Sequence, residues 1–412
     1  MREEARNRIR NLTSFLLIGL LACSVCLAAE PLPKPMSPAD YKAPADRSPE
    51  MQAFDKAVLF LSAAQEPDGH WDAAKSGAAA EFSGINGDIA ITALAANALT
   101  STSKGKLQNR DALARAKRGL EWLLAHTQPD GHVADESATG EPVMSQLLAA
   151  LTFLQAASLS TRPTLRDAAT NSIRYGLERM AAPKGGYGTV PNAQEANAEV
   201  TAMATLVSSS AGMEGIKLDD APLAPGKSKA EALIEEKIRA GLTLLMCDDK
   251  KKNNIFSMNS AKLEPDWDGT IAGVTAQTVL LVTLRDMQPA MKYIYGDFDD
   301  KSKTFPNLNT HISWGRAGEG NRAMMLWLGT VAMVYSFSDN TRELHAWTAA
   351  ANSIFITQQS ADGAWDVAGP DAKRGKIWRT ALNALTLLWL APPPPPPPQP
   401  PQDPVPATPA GK

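Results

Sequence analysis

The sequence predicts an all-helical fold in which about six pairs of helices close into an α/α toroid. Three observations lead to this prediction. The segment 51–391 repeats one unit of two helices and a loop several times. In each unit a charged amphipathic helix alternates with a helix almost free of charge, and a helix that is apolar on all sides must be buried. The last uncharged helix is as apolar as the middle ones, so closure onto the first unit would supply the neighbour that it needs.

The repeat is clearest in the loop that follows the charged helix. Residues 56–71 and 350–365 both end with a glutamine, then Asp-Gly, then a tryptophan two residues after the glycine. A weaker copy lies at 118–133 and a degenerate one at 181–188. The first and last glutamines are 294 residues apart, which is five steps of about 59. The residues predicted to shape these loops are Gln65, Gly69, Trp71, Gln128, Gly131, Gln359, Gly363 and Trp365.

Two kinds of helix are predicted from the hydrophobic pattern. The uncharged, inner helices are expected near 87–100, 143–158, 194–210, 270–286, 322–337 and 377–390. The charged, outer helices are expected near 51–65, 110–126, 163–181, 229–247 and 340–358, with a short sixth near 290–295. A Thr-Ala pair recurs in the inner helices, where the small alanine permits close approach and the threonine can bond a carbonyl of its own helix. These pairs begin at Thr92, Thr201, Thr275 and Thr380.

The two ends of the chain differ from the repeat. Residues 1–29 combine four arginines, an apolar stretch and small residues, which is typical of an export signal. The apolar stretch is short for a membrane span, so no span is predicted in the mature chain. The signal also resembles a lipoprotein box, in which Cys23 would be lipidated. Segments 30–50 and 392–412 are rich in proline and are predicted to be a linker and a disordered tail of a secreted or periplasmic protein.

Composition excludes several classes of function. The net charge is −3 and no basic stripe is present, so a nucleic-acid partner is not expected. Cleavage of the signal would leave Cys247 as the last cysteine, so an internal disulfide is not expected. No Cys/His spacing indicates a zinc site, and no metal or cofactor is predicted.

The repeat loop resembles the glutamine–tryptophan repeat of squalene-hopene and oxidosqualene cyclases. Residues 56–71 match it nearly throughout, with Ala57 where that family usually has glycine, and residues 350–365 match its second half. The resemblance implies an α/α toroid with a central apolar cavity, a fold shared with protein prenyltransferases. It also implies that the glutamine satisfies helix-end groups while the tryptophan stacks against it.

Cyclases of this family protonate an alkene with the middle aspartate of an Asp-x-Asp-Asp motif, which needs a strong acid in a dry cavity. Asp266 and Asp268 precede an uncharged helix, but Gly269 replaces the last aspartate. Asp299 lies in a stretch that matches the motif, yet two lysines follow and no apolar helix begins there. Helix caps and a solvated turn are the alternative interpretations. No Asp-x-Cys pair, as in the zinc site of prenyltransferases, is present.

Three functions therefore stay open. We favour a non-catalytic toroid that binds an isoprenoid, a lipid or another cell-envelope ligand in its cavity. The first alternative is a terpene cyclase that acts on a polyprenyl substrate. The second is a glycosidase or polysaccharide lyase, which needs paired carboxylates in an aromatic cleft. The residues expected to line the cavity or cleft are Trp267, Trp314 and Trp327, with Asp266, Asp268, Arg316 and Glu319 in the cleft alternative.

Overall fold

The computed structural model describes residues 35–45, 47–104, 110–218, 229–247, 254–282, 285–299, 305, 307–308, 312, 323–337, 341–367 and 369–391. The predicted export signal and the proline-rich tail lie outside these residues. Within them, the outer helices are α1 (Pro49–Ala63), α3 (Arg110–Ala125), α5 (Pro163–Arg174), α7 (Lys229–Leu245), α9 (Gln288–Tyr295) and α11 (Arg342–Thr357). The inner helices are α2 (Ile85–Thr100), α4 (Pro142–Ser158), α6 (Ala198–Met213), α8 (Trp267–Val279), α10 (Ala323–Ser336) and α12 (Gly375–Leu390).

The inner helices form a closed ring. Each inner helix packs on the next one along the chain, and α12 packs on α2. Each outer helix packs on the inner helix that precedes it, and α1 packs on α12. The all-α toroid predicted from the repeat is therefore confirmed, and so is its closure by the apolar last helix. None of the helices in the described ranges has both the length and the hydropathy that crossing a bilayer requires.

The difference between inner and outer helices follows from their sequences. Every residue of α4 from Pro142 to Leu154 is buried, whereas α5 buries one face. Buried hydroxyls of the inner ring are satisfied by carbonyl groups. The one hydroxyl hydrogen of Thr152, for example, is shared between Leu148 O of its own helix, at 2.8 Å, and Ala93 O of α2, at 3.1 Å and 59 residues earlier. Between α2 and α4 the repeat length of the sequence is therefore the spacing between contacting positions, whereas the corresponding contact between α8 and α10, from Thr275 to Leu328, spans 53 residues.

Two inner helices have boundaries that differ from the prediction. Helix α6 begins at Ala198 rather than 194, because Asn197 caps it by accepting a hydrogen bond from the backbone amide of Val200. Helix α8 ends at Val279 rather than 286. Leu281 has a φ of 60°, a left-handed conformation that a continuing helix does not allow.

Part of the predicted linker lies against the first outer helix. The carboxylate of Asp55 in α1 is buried, and Arg47 binds it through Nε at 2.8 Å and Nη2 at 2.6 Å. The hydroxyl of Tyr41 donates to the same carboxylate at 2.5 Å. These contacts fix the chain before α1 because a buried carboxylate requires partners.

In the first copy, the repeat loop joins two outer helices. The side-chain amide of Gln65 donates to Gly69 O within the loop and to Arg115 O of α3, both at 2.8 Å. The indole N–H of Trp71 donates to Leu61 O near the end of α1, at 2.8 Å. The glutamine thus connects the loop to the next outer helix, and the tryptophan covers the helix end.

The last copy repeats these contacts across the closure of the ring. Gln359 donates to Gly363 O at 2.8 Å and to Ala53 O of α1 at 2.7 Å. The indole N–H of Trp365 donates to Phe355 O at 3.0 Å. The last loop therefore closes the outer ring with the same hydrogen bonds that hold consecutive units together.

The second copy uses a different glutamine from the one that the sequence predicted. Gln128 is exposed, whereas Gln146 of α4 is buried. The amide of Gln146 donates to Gly131 O at 2.9 Å and to Ser172 O at 3.1 Å, and its carbonyl accepts from Val133 N at 2.8 Å. The same bonds to the loop glycine and to the next outer helix are thus made from the inner helix.

Because Gln146 makes the hydrogen bonds expected of Gln128, the same substitution at the two positions should have a large and a small effect on stability, respectively. Gln146→Leu should lower the free energy of unfolding by about 2 kcal/mol, because it leaves buried backbone groups without partners. Gln128→Leu should change it by less than about 0.5 kcal/mol, as expected for an exposed side chain. Urea unfolding followed by circular dichroism measures both. Equal effects of the two substitutions would show that Gln146 does not have this role.

Two pockets stand out among the described residues. The first has a volume of about 60 Å³ and lies at the C-terminal ends of α2, α4 and α6. The second, with a volume of about 540 Å³, is an open depression on the outer face of α7 and does not lie inside the ring. In addition, α10 contacts α6 although α8 lies between them in the ring. A polyprenyl ligand would need the roughly 300–1,000 Å³ of an ordinary ligand pocket, so its binding inside the ring stays a prediction.

Candidate functional site

The aspartates singled out in the sequence lie at helix ends or on the surface. Asp266 is the N-cap of α8, and its Oδ1 accepts from the backbone amide of Gly269 at 2.6 Å. Asp268 is the second residue of α8 and is partly exposed. Asp299 follows α9 and is exposed. Burial raises the pKa of a carboxyl group and so keeps the proton that a general acid donates. Asp299 is exposed and lacks this effect, so its position does not favour alkene protonation.

The tryptophans expected in the cavity have different surroundings. Trp267 donates from its indole N–H to Ile294 O of α9 at 3.3 Å and stacks on Trp347 of α11 at 6.3 Å. Its ring therefore packs between the inner and outer helices. Trp327 is buried in α10, and its indole nitrogen has no hydrogen-bond partner within the described residues. The other predicted residues of this set lie outside the described residues, namely Trp314, Arg316 and Glu319.

The N-terminal ends of the inner helices hold a buried ionic cluster that the sequence analysis missed. Arg374, directly before α12, donates from Nη1 to Glu199 at 2.6 Å and from Nη2 to Glu141 at 2.5 Å. Glu199 is in the first turn of α6, and Glu141 precedes α4. Helices α12 and α6 lie on opposite sides of the ring of six inner helices. The guanidinium of Arg374 therefore spans the opening at the N-terminal ends of these helices, which we name the mouth of the ring. The three residues are 4%, 2% and 7% exposed, respectively.

Two more charged residues extend this cluster. Asp371 accepts a hydrogen bond from the backbone amide of Ala323, the first residue of α10, at 2.5 Å. Arg379 of α12 lies 3.7 Å from the same carboxylate and donates to Asp366 O. We name the whole group the mouth cluster, and it consists of Glu141, Glu199, Asp371, Arg374 and Arg379.

The short helix Gly369–Arg374 holds Asp371 and Arg374 of the mouth cluster over the end of the ring, and we name it the strap. Its Lys373 donates to Glu141 at 2.9 Å and accepts a backbone hydrogen bond from Ala79. The guanidinium of Arg374 lies over the ring of Trp378, 4.5 Å from its centroid. The strap is thereby tied to the loop before α2 and to the inner helices below it.

The electrostatics of the mouth cluster favour ionised groups. Burial alone would raise the pKa of Glu141, but Arg374 and Lys373 outweigh it and hold that pKa below its ordinary value. Burial lowers the pKa of Arg374, yet the neighbouring carboxylates outweigh this effect and raise it. Asp371 differs, because burial raises its pKa more than Arg379 lowers it. The mouth therefore contains a glutamate that is held ionised and a fully buried aspartate whose pKa is shifted upward.

This arrangement restricts the chemistry of the mouth. A glycosidase needs one protonated and one ionised carboxyl group beside its substrate. Glu141 is held ionised, and Asp371, which belongs to the strap itself, is 0% exposed, so neither carboxyl group is open to a substrate. Within the described residues, no group of three histidine, cysteine, aspartate or glutamate side chains has the geometry for a metal ion.

The sequence signal that could have identified the mouth cluster is an isolated charged residue within an apolar helix. Glu199 is the one charged residue of α6, and Arg379 is one of very few in α12. A charge in an otherwise apolar, buried helix has to be paired. The sequence does not reveal the partners, because Arg374 is 175 residues from Glu199 and 233 from Glu141.

Comparisons with known proteins support the fold and leave the family open. No family model and no curated protein matches the chain. An inactive variant of the GH76A α-1,6-mannanase from Salegentibacter sp. HEL1_6, bound to α-1,6-mannotriose, is 11% identical, with a TM-score of 0.56 over 83% of this chain and 98% of its own. An α-amylase from Clostridium perfringens is 10% identical, with a TM-score of 0.52 over 85% and 99%.

A type II terpene cyclase from Scytonema is also similar, at 14% identity and a TM-score of 0.48 over 83% of this chain and 96% of its own. At such identities a similarity establishes the fold alone. The comparisons with the mannanase and the amylase thus agree with the α/α toroid. Membership of the squalene-cyclase family, which the repeat loop suggested, is not shown.

Proposed function

We propose that this protein is an exported, non-catalytic toroid that binds a ligand of the cell envelope. The observation that supports this proposal is the closed mouth, in which Arg374 pairs with both Glu141 and Glu199 beneath the strap. The predicted export signal, residues 1–29, supports a location outside the cytoplasm.

The closed mouth argues against a catalytic role because it is costly to open. Separating a buried guanidinium from its carboxylates leaves uncompensated charges, which costs about 3–5 kcal/mol. The three side chains are almost fully buried, and the strap that carries Arg374 is hydrogen-bonded to the loop before α2. A substrate would have to displace this structure before it reached either glutamate.

The absence of turnover is the first expected result. Purified protein should give no product with squalene, geranylgeranyl diphosphate, α-1,6-mannan, starch or a mixed-linkage β-glucan. Assays of Asp268→Asn and Glu199→Gln in parallel separate the two catalytic alternatives. Turnover of squalene or the diphosphate that Asp268→Asn abolishes would establish a cyclase. Turnover of a polysaccharide that Glu199→Gln abolishes, with an unchanged circular dichroism spectrum, would establish a glycosidase. Either result would refute the non-catalytic proposal.

The glycosidase alternative has one specific observation in its favour. Glu141 and Glu199 come from two neighbouring inner helices and meet at one guanidinium, so they would flank a shared cleft if the strap moved away. Paired carboxylates in such a cleft are the machinery of glycoside hydrolysis. The assays with α-1,6-mannan and mixed-linkage β-glucan test this alternative.

A further inference from the structure

A small pocket lies at the end of the ring opposite the mouth cluster. It has a volume of about 60 Å³ and is enclosed by the C-terminal ends of α2, α4 and α6. Leu151, Leu154 and Met213 supply apolar walls, and Glu214, directly after α6, supplies a carboxylate. These residues are remote from the strap, so ligand binding in this pocket does not depend on whether the mouth is catalytic.

The polar groups of this pocket are mainly hydrogen-bond acceptors. Thr100 Oγ1 donates to Ala96 O at 2.7 Å, Ser101 Oγ to Asn97 O at 2.9 Å, and Ser158 Oγ to a carbonyl of α4 at 2.8 Å. A hydroxyl group has one hydrogen, so each of these oxygens has only lone pairs left for a ligand. The donors that remain in the lining are the side chains of Ser210 and Gln155.

The pocket also favours positive charge. The C-terminal ends of three helices converge there, and each carries a partial negative charge. The carboxylate of Glu214 is half-buried and has no hydrogen bond or ion pair with another described side chain. Arg166 is the cationic group that acts on it, but the guanidinium of Arg166 is exposed and donates to Gly215 O at 3.2 Å. Burial raises the pKa of Glu214 despite this neighbour.

We propose that this pocket binds a primary ammonium group carried on a short alkyl chain. An ammonium group has three donors and no acceptor, which complements the hydroxyl oxygens, the helix ends and the Glu214 carboxylate. The leucine and methionine walls accommodate the alkyl chain. At about 10–15 Å³ for each water-sized position, the volume of about 60 Å³ fits roughly four to six non-hydrogen atoms, which includes the size of n-butylammonium.

Ligand-observed NMR with three ligands of similar size tests the proposal. n-Butylammonium should bind with a dissociation constant on the order of millimolar, as expected for so small a ligand. The neutral 1-butanol and the anionic butyrate should bind at least tenfold more weakly, because neither satisfies the acceptors and the charge. Equal binding of 1-butanol would overturn the proposal, since the pocket would then select for apolar surface alone.

Two variants locate the site. Glu214→Gln, which keeps the shape of the side chain, should weaken n-butylammonium binding at least tenfold, whereas Glu236→Gln on the exposed face of α7 should leave it unchanged. Binding should also weaken as the pH falls, because protonation removes the charge of Glu214, and its raised pKa makes this loss begin above the ordinary carboxyl range. Unchanged binding by Glu214→Gln would place the ammonium elsewhere and refute the proposal.

The ammonium group has two possible sources, which a further ligand separates. Nα-acetyl-lysine methylamide carries the same butylammonium group on a peptide backbone. Binding equal to that of n-butylammonium would extend the proposal to lysine side chains of a partner. If n-butylammonium binds and Nα-acetyl-lysine methylamide does not, the site is restricted to free amines. Either result supports an ammonium site, because n-butylammonium binds in both.

Discussion

Arg374→Met should lower the free energy of unfolding by about 3–5 kcal/mol, because it leaves the buried carboxylates of Glu141 and Glu199 without their partner. Methionine keeps an unbranched apolar stem and removes the guanidinium group, so the loss measures mainly the charge and its hydrogen bonds. Urea unfolding at pH 7, followed by tryptophan fluorescence and circular dichroism, measures this change.

Two further variants make the result specific. Adding Glu141→Gln and Glu199→Gln to Arg374→Met should recover part of the loss, because uncharged amides cost less to bury. Lys376→Met removes the partly exposed ion pairs with Asp362 and Asp366 and should cost less than about 1 kcal/mol. If Arg374→Met costs no more than Lys376→Met, the mouth cluster does not hold the ring closed.

The pH dependence of stability provides a second measurement on the same cluster. The pKa of Glu141 is lower in the folded protein than its ordinary value. Its contribution is therefore present above the ordinary carboxyl pKa and is lost as the pH falls through the lowered, folded-state pKa. Asp371 acts in the opposite sense, since its raised pKa makes its contribution decline as the pH rises. In Arg374→Met the stabilisation that depends on Glu141 should disappear.

Gly131→Ala should cost about 2–5 kcal/mol, from left-handed strain and a steric clash together. Gly131 has a φ of 91°, and an added Cβ would lie 2.1 Å from the carbonyl carbon of Asn171 in the next outer helix. The loop cannot move away, because Gln146 holds it between α4 and α5.

Gly77 provides the matched control for this substitution. Its φ is 80°, but an added Cβ would meet nothing within 4 Å. Gly77→Ala should therefore cost only the strain, about 1–2 kcal/mol. Urea unfolding of both variants isolates the close approach of the loop to the helix. Equal losses would mean that the repeat loop does not depend on this contact.

The helices were predictable because their signals are local. The charge-free stretch 143–158 predicted α4, and the structure places it at Pro142–Ser158. Gln65 and Gln359 were identified from their spacing to Asp-Gly and tryptophan, and both make the same pair of hydrogen bonds. Gln128 shows the limit of this reasoning, since its spacing resembled theirs while the buried amide came from Gln146.

The mouth cluster was not predictable in the same way. The sequence pointed to Asp266, Asp268 and Asp299 because their spacing resembles a known acid motif. In the structure Asp266 caps a helix, Asp268 is partly exposed and Asp299 is exposed, and a catalytic role of any of them stays a prediction. The buried charges of the mouth come from the N-terminal regions of three inner helices, α4, α6 and α12, and from the strap, and no motif joins them along the chain.

The sequence by itself determined the alternation of buried and half-exposed helices, the length of the repeat and the need for closure, because hydrophobic periodicity is a property of neighbouring residues. Only the tertiary structure decided which charges meet. Arg374 reaches Glu141 and Glu199 because ring closure brings α12, α4 and α6 to one mouth, and the cost of burying an unpaired charge then selects that pairing.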